Sequence, residues 1–212
     1  MHEHTIQGNQ NSNNFSAFKN VTSTLEIIYI NESMTRLGDC SFKNCTALKN
    51  VIFKGDNIEY IGENAFQNCT SLLSIDIPSL VTTIPKKCFE SCTSLQKVVI
   101  GEGVTDIKEL AFNTCSALTT ITFPNVSYIE KNVFKGCNQL SKVYFGCEEI
   151  IQTNATSEVP IFANSSKVKF GEFNIYVATQ ELADYYTNTA PWSDIISWQL
   201  PLYSDNVIYQ VK

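Results

Sequence analysis

One phrase recurs along most of this chain and restricts it to very few architectures. Its clearest copy is Ile58-Glu-Tyr-Ile61-Gly-Glu-Asn-Ala65-Phe66-Gln-Asn-Cys69-Thr-Ser-Leu72-Leu-Ser-Ile75-Asp-Ile77, which gives the template V/I-x-x-I-x-x-x-A-F-x-x-C-x-x-L-x-x-I-x-I/F. The aromatic returns at Phe42, Phe66, Phe89, Phe112 and Phe134, at intervals of 24, 23, 23 and 22 residues. Three residues later a cysteine keeps the same intervals, at Cys45, Cys69, Cys92, Cys115 and Cys137, and a leucine follows at Leu48, Leu72, Leu95, Leu118 and Leu140. Self-similarity at a fixed period of this size marks a solenoid: one unit cannot bury its apolar side, but stacked units bury a continuous core.

Each unit divides into three parts. L-x-x-I-x-I/F ends in period-2 alternation, the mark of a short strand with one buried face. Pro78, Gly101, Pro124 and Gly146 then turn the chain. V-x-x-I, as in Val81–Ile84, Val104–Ile107 and Val126–Ile129, is a second short extended piece. The x-x-x-A-F-x-x-C stretch reads as a helical turn with Ala, Phe and Cys facing inward.

The ends depart from the pattern. Residues 1–14 are polar, rich in Asn and Gln, and are expected to form a disordered lead. Residues 15–170 form the solenoid, about six coils and a decayed seventh. In the first coil Ala17-Phe18 stands at the Ala-Phe position, Val21 replaces the cysteine, and Leu25, Ile28 and Ile30 restore the register. The seventh phrase, Phe162-x-x-Ser165-x-x-Val168, arrives 28 residues late, behind an inserted polar loop. Residues 171–212 form a capping segment. There Phe173–Val177 is a strand, and Thr179 caps a helix through about Asn188 with Leu182, Tyr185 and Tyr186 on its apolar side. Trp192, Ile195, Ile196 and Trp198 are placed to plug the core, and Val207–Val211 to add one more strand.

Charge and composition exclude several functions. Of the net charge of −6, none lies in the body: between Phe15 and Cys147 there are 12 basic and 12 acidic residues. A neutral body with acid concentrated near the C-terminus offers no basic stripe, which argues against nucleic acid and against docking on an anionic membrane. No run approaches the roughly 18 apolar residues of a spanning helix, so direct membrane insertion is not expected. The N-terminus lacks the basic and apolar regions of a signal peptide. The protein therefore either stays in the cell or is a processed piece of an exported one.

Eight cysteines could mean a disulfide framework. Five of them share one repeat position, however, and equivalent residues on successive coils stack in a line about 4.8 Å apart. That line suits a ladder of small buried free thiols and cannot supply a tetrahedral metal shell. Cys40, Cys88 and Cys147 lie off the ladder, where a redox pair is the alternative to free thiols. Catalysis is not expected. The two histidines, His2 and His4, lie in the lead, away from any fixed nucleophile, and no Gly-rich phosphate loop is present. His2-Glu3-His4 as a loose chelate competes with the plainer reading of a mobile tail. Acidic residues of the body fall at exposed template positions, which reads as solvated faces rather than a carboxylate pair. No cofactor is implied. Eight N-x-S/T sequons follow from the Asn- and Ser/Thr-rich composition. Asn44 and Asn68 belong to the repeated N-C-T phrase beside a core cysteine, and Asn154 and Asn164, in the late loop, are the candidates for glycosylation if the source is a secreting eukaryote.

The A-F-x-x-C-x-x-L-x-x-I-x-I/F phrase and the V-x-x-I segment resemble the BspA-type leucine-rich repeat family. The C-terminal Ile175-Tyr-Val, Tyr185-Tyr186 and Pro191-Trp192-Ser-Asp-Ile195 resemble its closing sequence. The resemblance covers residues 15–198 and weakens at the first coil, at the serine-bearing coil and in the tail. It implies an α/β repeat solenoid, a right-handed leucine-rich-repeat superhelix of roughly 22–24-residue coils with a parallel β-sheet on the concave face. It also implies a secreted or cell-surface protein that binds a protein or glycan partner, with adhesion as one outcome. An intracellular scaffold or interaction module is the alternative.

On that fold, residues between the buried strand positions point outward in two columns. One is Ile27, Asn50, Ser74, Lys97, Thr120 and Lys142; the other is Tyr29, Ile52, Asp76, Val99, Thr122 and Tyr144. Apolar and aromatic side chains at Tyr29, Ile52, Val99 and Tyr144 suggest interface anchors. The competing reading is that β-branched and aromatic residues simply suit strand surfaces.

Overall fold

The structure, a computed structural model, describes residues 3–6, 22–156, 160–165, 174–188 and 207–209. Numbered along the chain, β1 (Glu3–Ile6) lies in the lead. The L-x-x-I-x-I/F segments form β2 (Ile27–Ile30), β4 (Asn50–Phe53), β6 (Ser74–Asp76), β8 (Lys97–Val99), β10 (Thr120–Phe123) and β12 (Lys142–Phe145). Each V-x-x-I ends in a two-residue strand: β3 (Arg36–Leu37), β5 (Tyr60–Ile61), β7 (Thr83–Ile84), β9 (Asp106–Ile107) and β11 (Tyr128–Ile129). The late loop adds β13 (Gln152–Thr153). Then follow β14 (Asn174–Val177), the helix α1 (Gln180–Asn188) and β15 (Val207–Tyr209).

Equivalent strands of successive coils pair in parallel, because a coil returns to the same angular position after each period. The longer strands make two sheets, β1-β2-β4-β6-β8 and β10-β12-β14-β15, and the short strands make β13-β11-β9-β7 and β3-β5. The strand face is thus divided between β8 and β10. At the equivalent point of other coils the Gln96 amide donates to the Leu73 carbonyl at 2.9 Å and the Ser141 amide to the Thr119 carbonyl at 2.9 Å. The Thr119 amide makes no such bond to the β8 coil.

The x-x-x-A-F-x-x-C stretch is where the structure differs from the helical turn expected of it. Alternate amides point to different coils. Those of Cys40, Phe42 and Asn44 donate to Glu63, Ala65 and Gln67 of the next coil at 2.8–2.9 Å. Those of Ser41, Lys43 and Cys45 close turns onto Gly38, Cys40 and Phe42 of their own coil. Sending every second amide across requires left-handed backbone at two places per coil, two residues before and two after the aromatic. Cys40, Asn64, Lys87, Leu110 and Asn132 hold the first, with φ from 56° to 62°. Asn44, Asn68, Ser91, Thr114, Gly136 and Asn164 hold the second, with φ from 57° to 72°. Asn and Gly tolerate this region, and their recurrence in the phrase was the visible signal. Among the described residues α1 is the one α-helix.

The core lies between strands and turns. Phe42, Phe66, Phe89, Phe112, Phe134 and Phe162 stack with centroids 5.2–5.6 Å apart and planes within 14°. This spacing exceeds the roughly 4.8 Å between paired strands. On the strand side of the same core Phe123 and Phe145 stack with centroids 5.8 Å apart. Phe162 and Ser165 are buried in line with the earlier coils, and Phe162 stacks on Phe134. Val168 lies outside the described residues, as do Ala17, Phe18, Val21, Phe173 and the tryptophan plug.

Both ends extend the stack. Within the segment 1–14, expected to be disordered, β1 pairs in parallel with β2, Glu3 opposite Ile27 and Ile6 opposite Ile30. Glu3 precedes Ile27 by 24 residues, one period, so this strand falls in phase with the coils. At the other end α1 begins as expected: the Leu182 amide donates to Thr179 Oγ1 at 3.2 Å, while Leu182, Ala183 and Tyr186 are buried. The Ile151 amide donates to the Tyr186 hydroxyl at 2.9 Å and ties the helix to the late loop. Burial pushes that phenol's pKa up to about 12.

Candidate binding face

The alternation that buries Ile28, Val51, Ile75, Val98, Ile121 and Val143 leaves the residues on either side of each pointing outward. Strand register then aligns them. Ile27, Asn50, Ser74 and Lys97 lie opposite one another across β2 to β8, and Thr120 and Lys142 across β10 and β12. In the second column Tyr29 lies opposite Ile52, Asp76 opposite Val99, and Thr122 opposite Tyr144. The structure therefore brings the predicted residues onto one face, in two groups separated by the break between β8 and β10.

Each column runs on past its last predicted member. Asn174 continues the first beyond Lys142, and Tyr176 continues the second beyond Tyr144. Their signal was present as Asn174-Ile-Tyr-Val177 beside Lys142-Val-Tyr-Phe145, but 32 residues separate the two, beyond the usual period. Tyr144 and Tyr176 stack with centroids 4.3 Å apart and planes at 11°. At the other end of the face, Lys54 Nζ sits 4.5 Å from the centre of the Tyr29 ring, a cation–π contact. Lys97, Lys142 and Asp76 make no ion pair among the described residues.

On the opposite side the thiols form the expected ladder. The Sγ–H of Cys69, Cys92, Cys115 and Cys137 donates to the carbonyl of Phe42, Phe66, Phe89 and Phe112 respectively, at 3.0–3.2 Å. Cys45 is buried in the same line. Ser165 takes the place of a sixth thiol, and its hydroxyl donates to the Phe134 carbonyl at 2.7 Å. All eight cysteines are free, Cys40 and Cys147 partly exposed and Cys88 buried. Burial pushes the Cys92 and Cys137 thiols up to about 12, and raises those of Cys69, Cys88 and Cys115 as well. These groups are protonated at neutral pH, hence poor nucleophiles and poor metal ligands. Among the described residues, no cluster of three or more His, Cys, Asp or Glu could hold a metal.

One acidic residue departs from the expectation that acids of the body are solvated. The Glu90 side chain is only 14% exposed. It accepts hydrogen bonds from Gln67 Nε2 and, at 2.8 Å, from Asn113 Nδ2, with Lys87 Nζ 3.7 Å away. The three amide and carboxylate side chains occupy one position on consecutive coils, so this is a structural clasp across the turn side.

The model of the BspA type leucine rich repeat region matches residues 11–141, in six copies. The chain belongs to the BspA-type leucine-rich repeat family. Among solved structures of similar form, a leucine-rich repeat protein from T. pallidum is 29% identical. The match covers 59% of this chain and 65% of that one, with a TM-score of 0.53. A leucine-rich repeat protein from Eubacterium ventriosum is 20% identical over 68% of this chain and 44% of that one, with a TM-score of 0.54, which bears on the fold alone. This chain thus spans under two thirds of the length of either. No curated protein matches the chain. The family's repeat phrase accounts for the buried half of each full coil and leaves the outward columns unspecified. No helix among the described residues is long and apolar enough to cross a membrane.

Proposed function

We propose that this family member is a non-enzymatic binding solenoid, presented at a cell surface or secreted, which adheres to a protein or glycan partner through its concave strand face. The observation that carries this reading is the second column. Ile52 is 37% and Val99 is 42% exposed, on rigid paired strands where solvent favours polar residues, with Tyr29 opposite Ile52 in register and Tyr144 opposite Thr122 beyond the break. Aromatic and aliphatic side chains held rigidly on a surface bind a partner with little ordering cost. The family resemblance supports surface location, and the neutral body argues against nucleic acid as partner. The division into a lead, a solenoid over 15–170 and a cap from 171 belongs to the same proposal.

The test is binding of the purified chain to immobilised matrix proteins and mucin-type glycoproteins, for the wild type and a Tyr29→Ser, Ile52→Ser, Tyr144→Ser variant. Binding should fall at least about tenfold in the variant, as expected for loss of interface anchors, while thermal unfolding changes little. Equal binding by both proteins removes the strand face from consideration. A second reading, an intracellular scaffold, draws on the eight free thiols, since a reducing compartment preserves such a set. If native protein recovered from its source yields fewer than eight thiols after unfolding without reductant, that reading fails.

A further inference from the structure

The half of the strand face beyond the break differs in charge and shape from the first half. On β10, β12 and β14 its outward residues are Thr120, Thr122, Lys142, Tyr144, Asn174 and Tyr176, with no acid among them, and β15 places Ile208 opposite Tyr176. Lys97 borders them across the break and, like Lys142, makes no ion pair among the described residues. In a chain of net charge −6 this is a local cationic surface. The stacked tyrosines cover one another on one side only. The far face of Tyr144 looks across to Thr122, the small exposed residue opposite it in register. Neither tyrosine hydroxyl has a hydrogen-bond partner among the described residues. The result is an aromatic ring face standing over a floor of threonine hydroxyls, with an ammonium on the neighbouring column.

Resting on the strand-face reading above, we propose that this half-face binds an acidic oligosaccharide, one that carries carboxylates on its sugar rings. A pyranose lays its C–H face on the outer face of Tyr144. Thr120, Thr122 and Asn174 exchange hydrogen bonds with ring hydroxyls, and Lys142, aided by Lys97, pairs with the carboxylate. The pattern fits a sugar better than a peptide, because an open flat ring face edged by hydroxyls offers no pocket for a side-chain anchor. Positive charge on an acidic protein selects the acidic sugar among sugars.

The test is titration of the whole chain with a hyaluronan hexasaccharide, whose alternate sugars are carboxylated, and with its carboxyl-reduced counterpart, followed by amide and tyrosine NMR shifts. The intact oligosaccharide should shift Thr122, Lys142, Tyr144 and Asn174, and the reduced one should bind about fivefold more weakly, the scale of one exposed ion pair. Tyr144→Ser should lose about tenfold in affinity while Tyr144→Phe retains it, since the ring face and not the hydroxyl is used. Lys142→Gln should weaken the acidic sugar and leave the reduced one unchanged. Ile52→Ser, on the other half of the face, should change neither. The proposal is overturned if the wild type shows no saturable shift at millimolar oligosaccharide, if the reduced sugar binds equally well, or if Tyr144→Ser binds like the wild type. Should the chain instead bind a deglycosylated protein through Tyr29, Ile52 and Tyr144, the strand-face reading survives and the saccharide is rejected.

Discussion

The turn side and the strand side of this solenoid are built from the same coils, yet they behave oppositely. On the turn side the same residue types recur at each level. Phenylalanines stack without interruption from Phe42 to Phe162, and backbone bonds join every coil from Cys40 to Ala163. On the strand side the outward residues change at each level, and the sheet itself is divided between β8 and β10. The fold is stored in the half that repeats, which leaves the other half free to vary without unfolding the stack. In this chain the residues that repeat and the residues that vary therefore lie on opposite sides of one body.

The most direct way to break this contrast is to truncate one side chain to alanine on each side. Phe89→Ala opens a cavity between Phe66 and Phe112 in the middle of the stack. It should cost about 3–5 kcal/mol in denaturant unfolding, whereas Thr122→Ala on the strand face should stay within about 0.5 kcal/mol. Comparable losses at both sites would mean that the strand face carries stability after all.

A gain of stability should also be available on the turn side. Thr114 is exposed, β-branched and held at φ 61°, a backbone region that costs an ordinary residue roughly 1–2 kcal/mol. Asn44, Asn68 and Asn164 hold the same position in other coils. Thr114→Asn should therefore raise stability by about 1 kcal/mol, read as a shift in the thermal midpoint. A fall in stability would show that the left-handed backbone there is not strained.

Much of this was legible beforehand, and the rest was hidden for definable reasons. Buried positions announce themselves because Phe66, Cys69, Leu72 and Ile75 and their equivalents keep nearly one spacing and one chemistry through the five full copies. The left-handed pairs were masked: Asn44, Asn68 and Asn132 hint at them, but Lys87, Leu110 and Thr114 do not, since neighbouring coils hold those residues in place. A helical turn and a run of tight turns also bury the same Ala, Phe and Cys, so the hydrophobic pattern cannot separate them. The strand-face columns followed from alternation alone up to Tyr144. Tyr176 and Asn174 escaped because the insertion before them breaks the count, and β1 escaped because His4 and Gln10 stand where apolar residues are expected. The clasp at Glu90 depends on which side chains sit one coil apart, information that no single phrase contains.

The ladder position sharpens the comparison at smaller scale. Ser165 shows that it accepts a hydroxyl, since Ser165 Oγ donates to the Phe134 carbonyl as the thiols do to theirs. Ser165→Ala removes the donor and should cost about 1 kcal/mol, the net worth of one buried hydrogen bond. Ser165→Cys restores a donor with the chemistry of Cys137 and should cost about half of that or less. If alanine and cysteine are equivalent, the ladder is only a column of small residues, and its sulfur–carbonyl bonds contribute nothing.

The finest test lies at the break. Thr119 and Ser141 occupy the same position in consecutive coils, both beside a buried leucine, Leu118 and Leu140. The Ser141 amide donates to Thr119, whereas the Thr119 amide meets no acceptor on the coil before it. Flanking coils are held together on the turn side at both levels, where the Ser91 amide donates to Asn113 at 2.8 Å and the Thr114 amide to Lys135 at 2.7 Å. Local opening should therefore be needed to exchange Ser141 but not Thr119. Native-state hydrogen exchange should show Thr119 at least about tenfold less protected than Ser141, the effect of roughly one unmade bond. Equal protection would mean that the strand ladder runs unbroken in solution. The two halves of the strand face would then be one continuous surface, and a ligand confined to the tyrosine end would need a reason other than the seam.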